Sequence, residues 1–198
     1  MDPSRSAELF ALADAALHAG FDGASPPVGD VDVPPAAVFV TIEVDGELNG
    51  CIGTMAPEPL GAAVPRLAWE AAFTDPRLPP LEPWQHDGVT IKLSILSPMQ
   101  PLDVSSVEDL VAALRPGIDG ALLEDRGRRG TFLPAVWRSV SSPEEFVRRL
   151  LQKAGLRSWS ATTRAWRYQA EELSAQTKDV AHHVGAADLG GADGSRDA

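Results

Sequence analysis

The sequence predicts an α+β fold in which antiparallel sheets are flanked by helices. Two observations point to it: runs of period-2 alternation joined by tight turns, and helical stripes that interleave with them without a train of βαβ signals. A third is size, since 198 residues can bury a core without disulfide or metal staples.

The elements follow in chain order. Ser4 to Ala19 places Leu9, Leu12, Ala13, Ala16 and Leu17 at helical spacing, with Ser4 or Ser6 as N-cap and Gly20 as the stop. Phe21 to Pro35 is dense in Gly, Pro and Asp and reads as a long surface loop. In "AVFVTIEV", Val38, Val40, Ile42 and Val44 alternate with Phe39, Thr41 and Glu43, a strand with one buried face. Asp45-Gly46 then turns a hairpin into "ELNGCIG", where Leu48, Gly50 and Ile52 are expected on one face and Asn49, Cys51 and Gly53 on the other. Pro59 to Thr74 carries an alanine-rich apolar stripe and reads as a closely packed helix, with Pro65 marking a kink or a later start. "TDPRLPPLEPWQ" is a proline-stiffened loop.

Val89, Ile91, Leu93 and Ile95 form the cleanest strand, with Thr90, Lys92 and Ser94 on its polar face. Ser105-Ser106-Val107-Glu108 opens a short helix ending before Pro116-Gly117. Gly117 to Pro134 reads as two strands around a basic turn, and Ser142-Pro143-Glu144-Glu145 caps a helix that stops at Gly155. "WSATTRAWRYQAEEL" has strand-like content. Beyond it few large apolar residues remain, so the expected organisation is one domain over 1–174 and a disordered tail over 175–198.

Charge and cysteine content exclude several classes. Seventeen Lys and Arg against 28 Asp and Glu give a net charge of −11, which repels phosphate backbones and anionic bilayers, so neither nucleic acid nor membrane is expected as a partner. One cysteine allows no internal disulfide and suits a reducing, cytoplasmic setting. The histidines are His18, His86, His182 and His183, and none stands in HExxH or a comparable ligand spacing. No metal is expected on that ground. The chain has no GxGxxG, Walker A or CxxxCxxC motif, so it supplies no cofactor signature.

Cys51 is the candidate reagent. Its flanking residues Gly50 and Gly53 would let a substrate or another backbone approach closely. A nucleophilic cysteine needs its thiolate populated, against a free-thiol pKa of about 8.5. Lys92, if its strand pairs nearby, and His86 as a general base are the candidate activators. The competing reading makes Cys51 a small apolar plug, Lys92 a solvated lysine and His86 a surface histidine. Asp75 and Arg77 either pin their loop by an ion pair or line a cleft, and Asp119 either serves a turn or accepts from a ligand. Trp137, Trp159 and Trp166 read as core or interface aromatics, and Arg126, Arg128 and Arg129 as a solvated hairpin tip.

Five stretches, in order, resemble the AMMECR domain family, called AmmeMemoRadiSam system protein A in prokaryotes. They are Val38 to Thr41 followed by Gly46 to Gly53, Ala71 to Leu81, Ser94 to Pro98, Arg129 to Pro134, and Phe146 to Trp159. The resemblance spans roughly Ala7 to Leu173. It implies a larger and a smaller sheet-containing part with a cleft between them near the cysteine, and association with Memo-like and radical SAM proteins. It implies no particular reaction. Three positions depart from the family pattern: Asn49 replaces the usual arginine before Gly-Cys, Lys92 an acidic residue, and Asp119 a histidine. The scaffold is therefore expected to be kept and the site altered. Two functions follow. One is an enzyme or enzyme component binding a small polar ligand beside Cys51, lined by Asn49, Asp75, Arg77, Lys92 and Asp119. The other is a non-catalytic adaptor that docks a protein through the cleft or a sheet edge.

Overall fold

The computed structural model describes residues 1–180. Its elements are α1 (Pro3–Phe21), β1 (Ala36–Val44), β2 (Glu47–Glu58), α2 (Leu60–Phe73), β3 (Val89–Leu96), β4 (Gln100–Leu102), α3 (Val107–Ala113), β5 (Gly120–Asp125), β6 (Arg128–Phe132), α4 (Pro143–Lys153), β7 (Arg164–Tyr168) and β8 (Ala170–Gln176). Short 3₁₀ turns cover Pro83–Gly88, Pro134–Ser139 and Thr177–Asp179. Two four-stranded sheets result, in the orders β2-β1-β3-β8 and β4-β7-β5-β6, with every pairing antiparallel. This is the α+β architecture that the alternation and hairpin turns predicted.

Helices α1 and α2 cover one face of the larger sheet. Val38, Val40 and Ile42 of β1 and Ile91 and Leu93 of β3 meet Leu9, Leu17, Val64 and Leu67 in a fully buried core. The smaller sheet packs Ala121 and Leu123 against Phe146, Leu150 and Leu110 of α4 and α3. A third cluster joins the two: Ala37 and Leu96 of the larger sheet meet Leu122 and Tyr168 of the smaller, with Phe39 and Trp166 at its rim.

Several termini differ from the sequence expectation, each for a physical reason. Helix α1 begins earlier: Asp2 is the N-cap, accepting from Ser4 N–H at 2.9 Å, and Pro3 takes the first turn, where a missing donor costs nothing. Gly20 does not stop the helix. A Cβ there would lie 2.0 Å from the Phe73 ring, so this glycine lets α1 and α2 approach. The stop is Gly23, at φ +68°, which closes a Schellman motif through Gly23 N–H to Gly20 O (3.1 Å) and Ala24 N–H to Ala19 O (2.7 Å). Residue 174 lies within β8, where Ser174 pairs with Lys92, and Thr177 and Val180 are buried beyond it. The domain therefore extends at least to Val180, past the expected boundary. His182 and His183 lie outside the described residues.

Pro65 does not delay α2, which runs from Leu60 to Phe73 with the proline inside it. Lacking an N–H, Pro65 cannot bond the carbonyl four residues back. That carbonyl, Gly61 O, accepts instead from Gly29 N–H at 3.0 Å. The long loop before β1 is fastened to α2 at this point, and a Cβ on Gly61 would sit 2.3 Å from Gly29 O.

Candidate functional site around Cys51

Asp45 (φ 51°) and Gly46 (φ 87°) form the tight turn that brings β2 back along β1. A register shift follows: Glu43 pairs with Leu48 but Ile42 with Gly50, so Asn49 is an extra residue in a bulge. The strict alternation expected for this arm breaks there. Beyond the bulge, Cys51 pairs with Thr41, and Thr41 with Lys92. Cys51, Thr41, Lys92 and Ser174 thus form one row across the face of the larger sheet turned away from α1 and α2.

The glycines beside Cys51 have packing partners. A Cβ on Gly50 would meet Ala71 O of α2 at 1.8 Å, and one on Gly53 would meet the Phe39 ring at 2.2 Å. The close approach they permit is that of the protein's own backbone and ring, rather than of a substrate.

Cys51 is half-buried, and Thr41 Oγ1 donates to its Sγ at 3.2 Å. Because β2 is an edge strand, the outward polar groups of Cys51 need partners. Asp75 and Arg77 supply them. Cys51 N–H donates to Asp75 Oδ2 at 3.0 Å, and Arg77 Nη2 donates to Cys51 O at 2.9 Å. Arg77 Nε also donates to Asp75 Oδ1 at 2.8 Å. Asp75 is buried, and the Arg77 guanidinium, aided by the Cys51 N–H, holds its carboxyl well below the usual carboxylate range. The pair pins its loop and seals the strand edge at Cys51, while the Arg77 side chain remains 61 % exposed.

Lys92 Nζ binds Glu43 Oε1 at 2.6 Å on the same open face. Asn49 is buried, donating from Nδ2 to Pro79 O at 3.3 Å, and among the described residues its Oδ1 accepts nothing. Asp119 is fully buried in the smaller half. Its carboxylate accepts from Arg115 N–H (2.9 Å), Nε (3.0 Å) and Nη2 (2.6 Å), and its carbonyl accepts from Trp137 Nε1 at 2.7 Å. These contacts serve the turn into β5. His86 is gathered with α1, where its Nε2 lies 2.8 Å from Asp14 Oδ1. The structure therefore brings together Cys51, Asp75, Arg77 and, one strand further, Lys92. It places Asn49, Asp119 and His86 in other surroundings.

One residue that the sequence reading did not single out bears on Cys51 electrostatically. Lys153 ends α4, and its Nζ sits 5.1 Å from the centroid of the Phe132 ring. The protein around the ammonium lowers its pKa, while Cys51 and Arg77 act on it with opposite sign, Cys51 raising and Arg77 lowering. Among the described residues no carboxylate lies within ion-pair distance of Lys153. The available signal was its place just before Gly155 in "KAGL", where α4 ends in a Schellman motif (Gly155 N–H to Gln152 O, 3.0 Å; Leu156 N–H to Leu151 O, 2.9 Å). A separate cavity of about 950 Å³ lies at the far end of β1, lined by Val33, Met55, Leu60, Ile95 and Met99 among others, and Cys51 does not border it.

The AMMECR1 family model matches residues 8–173. The chain belongs to the AMMECR1 family. Among AMMECR1 relatives, a Methanothermobacter thermautotrophicus protein is 40% identical over 139 residues, covering 68% of this chain and 72% of its own. One from Thermofilum pendens is 38% identical over 160 residues, covering 71% and 75%. The fold of this AMMECR1 chain is also that of the crystal structure of uncharacterized protein PH0010 from Pyrococcus horikoshii, with a TM-score of 0.74 at 24% identity over 84% of this chain and 89% of that one. No helix among the described residues is long and apolar enough to cross a membrane.

Proposed function

We propose that the Cys51 group binds a small polar, anionic ligand, with Cys51 as the reacting or contacting thiol. The observation that carries this reading is the Arg77 guanidinium, 61 % exposed and bonded to the backbone carbonyl of Cys51. Arg77 comes from the loop after α2, and Lys153, at the end of α4, is a second cation that Cys51 influences electrostatically. Arg77 is largely committed to Asp75, and Lys92 to Glu43. Lys153 is the cation left to meet an incoming anion.

The adaptor reading by strand addition at β2 finds less support, because Asp75 and Arg77 already occupy the edge groups of Cys51. Association with Memo-like or radical SAM proteins belongs to this proposal as its pathway partner class, and copurification from native extracts tests it. The ligand reading is tested through the single thiol. In the folded protein at pH 7, Cys51 is expected to react with iodoacetamide, and with the anionic iodoacetate faster than a free thiol does. Lys153→Ala is expected to slow the iodoacetate reaction more than the iodoacetamide reaction, read by intact mass. A Cys51 that labels only on unfolding, or equal slowing of both reagents, would overturn it.

A further inference from the structure

Asp14, His18 and His86 form a second cluster on the other side of the larger sheet, away from Cys51. Asp14 and His18 are four residues apart on α1, so both side chains leave the same face of the helix. His86 arrives from the 3₁₀ turn before β3, 72 residues later than Asp14. One ligand atom from each lies within 4.8 Å of the other two. His86 Nε2 is 2.8 Å from Asp14 Oδ1, His18 Nε2 is 3.7 Å from Asp14 Oδ2, and the two imidazole rings have centroids 4.6 Å apart.

We infer that these three residues form a binding site for a divalent first-row cation, zinc foremost. Two imidazoles and one carboxylate are the donor set that zinc favours when three protein ligands leave the fourth tetrahedral position to water or another donor. Zinc ligands at about 2.0–2.2 Å stand roughly 3.3 Å from one another. The Asp14–His86 pair is already that close, and His18, whose side chain is 50 % exposed, has the freedom to complete the triangle.

The scaffold around the cluster is well fixed. Asp14 is 2% exposed. The turn bearing His86 is held by a reciprocal cap, with Glu82 N–H donating to Gln85 Oε1 at 2.9 Å, and Thr177 Oγ1 donates to His86 O at 2.6 Å. Phe21 stands edge-on to both imidazoles, with centroids at 6.1 Å and 6.0 Å, and forms an apolar wall. A cation here ties the end of α1 to the turn that feeds the central strand β3, and binding would add to folding stability by mass action.

The test uses the full chain, stripped with a chelator and desalted. Zinc titrated by calorimetry is expected to bind at one equivalent, and cobalt(II) to give the intense visible absorption of a four-coordinate site. His18→Ala, chosen because this side chain is half-exposed, is expected to keep the circular dichroism spectrum of the parent and to weaken zinc by more than about tenfold. Asp14→Asn is expected to do the same. His182 and His183, adjacent in the tail, are the control. Binding by the parent that survives in His18→Ala but is lost in the His182→Ala/His183→Ala double variant would overturn the assignment, as would no zinc binding by the parent or equal affinity in His18→Ala. Loss of binding in both variants would overturn a site made by Asp14, His18 and His86 alone.

Discussion

At the level of single residues, Asp75 carries the clearest consequence. Its carboxylate joins a loop, an arginine and an edge strand, and Arg77 keeps it ionised far into acid. A depressed folded-state pKa stabilises the fold fully above the unfolded carboxylate value of about 3.9, and that stability is lost as pH falls below it toward the folded value. Asp75→Asn is expected to cost about 1.5–3 kcal/mol near neutrality, the range for hydrogen bonds to charged groups, and to flatten the acid limb of stability, both measurable by urea titration between about pH 2 and 7. The pinning role was legible in the sequence, because two opposite charges two apart in a stiff loop readily meet. The partnership with the Cys51 backbone was not, since it depends on which strand lies at the edge of the sheet. Lys153 was hidden for a similar reason: its electrostatic link to Cys51 arises only once the two halves are joined.

Among the elements, β2 shows how a local pattern is overruled by its neighbours. The alternation put Asn49 and Cys51 on one face, yet the bulge at Asn49 breaks that pattern, and the contact of Gly50 with Ala71 O follows from where α2 crosses. Gly50→Ala forces a Cβ against backbone that cannot rotate away. It is expected to destabilise by about 1–3 kcal/mol and to slow alkylation of Cys51 by displacing the strand, as read by denaturant melts and intact mass. Helix α4 was predicted closely because its ends are written locally. Ser142 accepts from Glu145 N–H at 3.2 Å, Pro143 opens the first turn and Gly155 sits at φ +70°. Glu145 accepts from Ser141 N–H at 2.7 Å and from Ser141 Oγ at 2.6 Å, and these bonds bring its pKa down to about 2. The α4 cap should hold at pH 5 and loosen as pH falls from about 4.3 toward 2, visible as earlier hydrogen exchange in the first turn of α4 than in its last. Helix α1 was read less well, because Gly20 resembles a stop signal until Phe73 is found packed against it.

For the whole molecule, the two sheets share a joint rather than a linker. Tyr168 is 1% exposed, and its hydroxyl lies 2.6 Å from Thr131 Oγ1 and donates to Phe132 O at 3.0 Å. Burial pushes its pKa up to about 12, so this contribution is present below the ordinary tyrosine value of about 10 and is lost as pH rises toward 12. Tyr168→Phe is expected to cost about 0.5–1.5 kcal/mol while tryptophan fluorescence and far-ultraviolet dichroism continue to report one transition. Separate transitions in the parent would show that the joint does not couple the halves. The α+β class and the two hairpin pairings, β1 with β2 and β5 with β6, were legible because hairpin turns and alternation are local. The order of strands, which sets β8 beside β3 and closes the domain beyond residue 174, is a long-range result that periodicity does not encode.

The Gly29–Gly61 fastening shows what one absent hydrogen does to a loop. A Pro- and Gly-rich stretch between α1 and β1 has the composition of a freely exchanging, readily nicked segment. Its middle amide is nonetheless engaged by a helix carbonyl that Pro65 leaves available. Deuterium should enter slowly at Gly29 and quickly at its neighbours, and proteases should cut this stretch near Gly23 to Ser25 while sparing the residues around Gly29. The proline that would ordinarily weaken a helix is thus expected to shield the part of the neighbouring segment around Gly29 from cleavage.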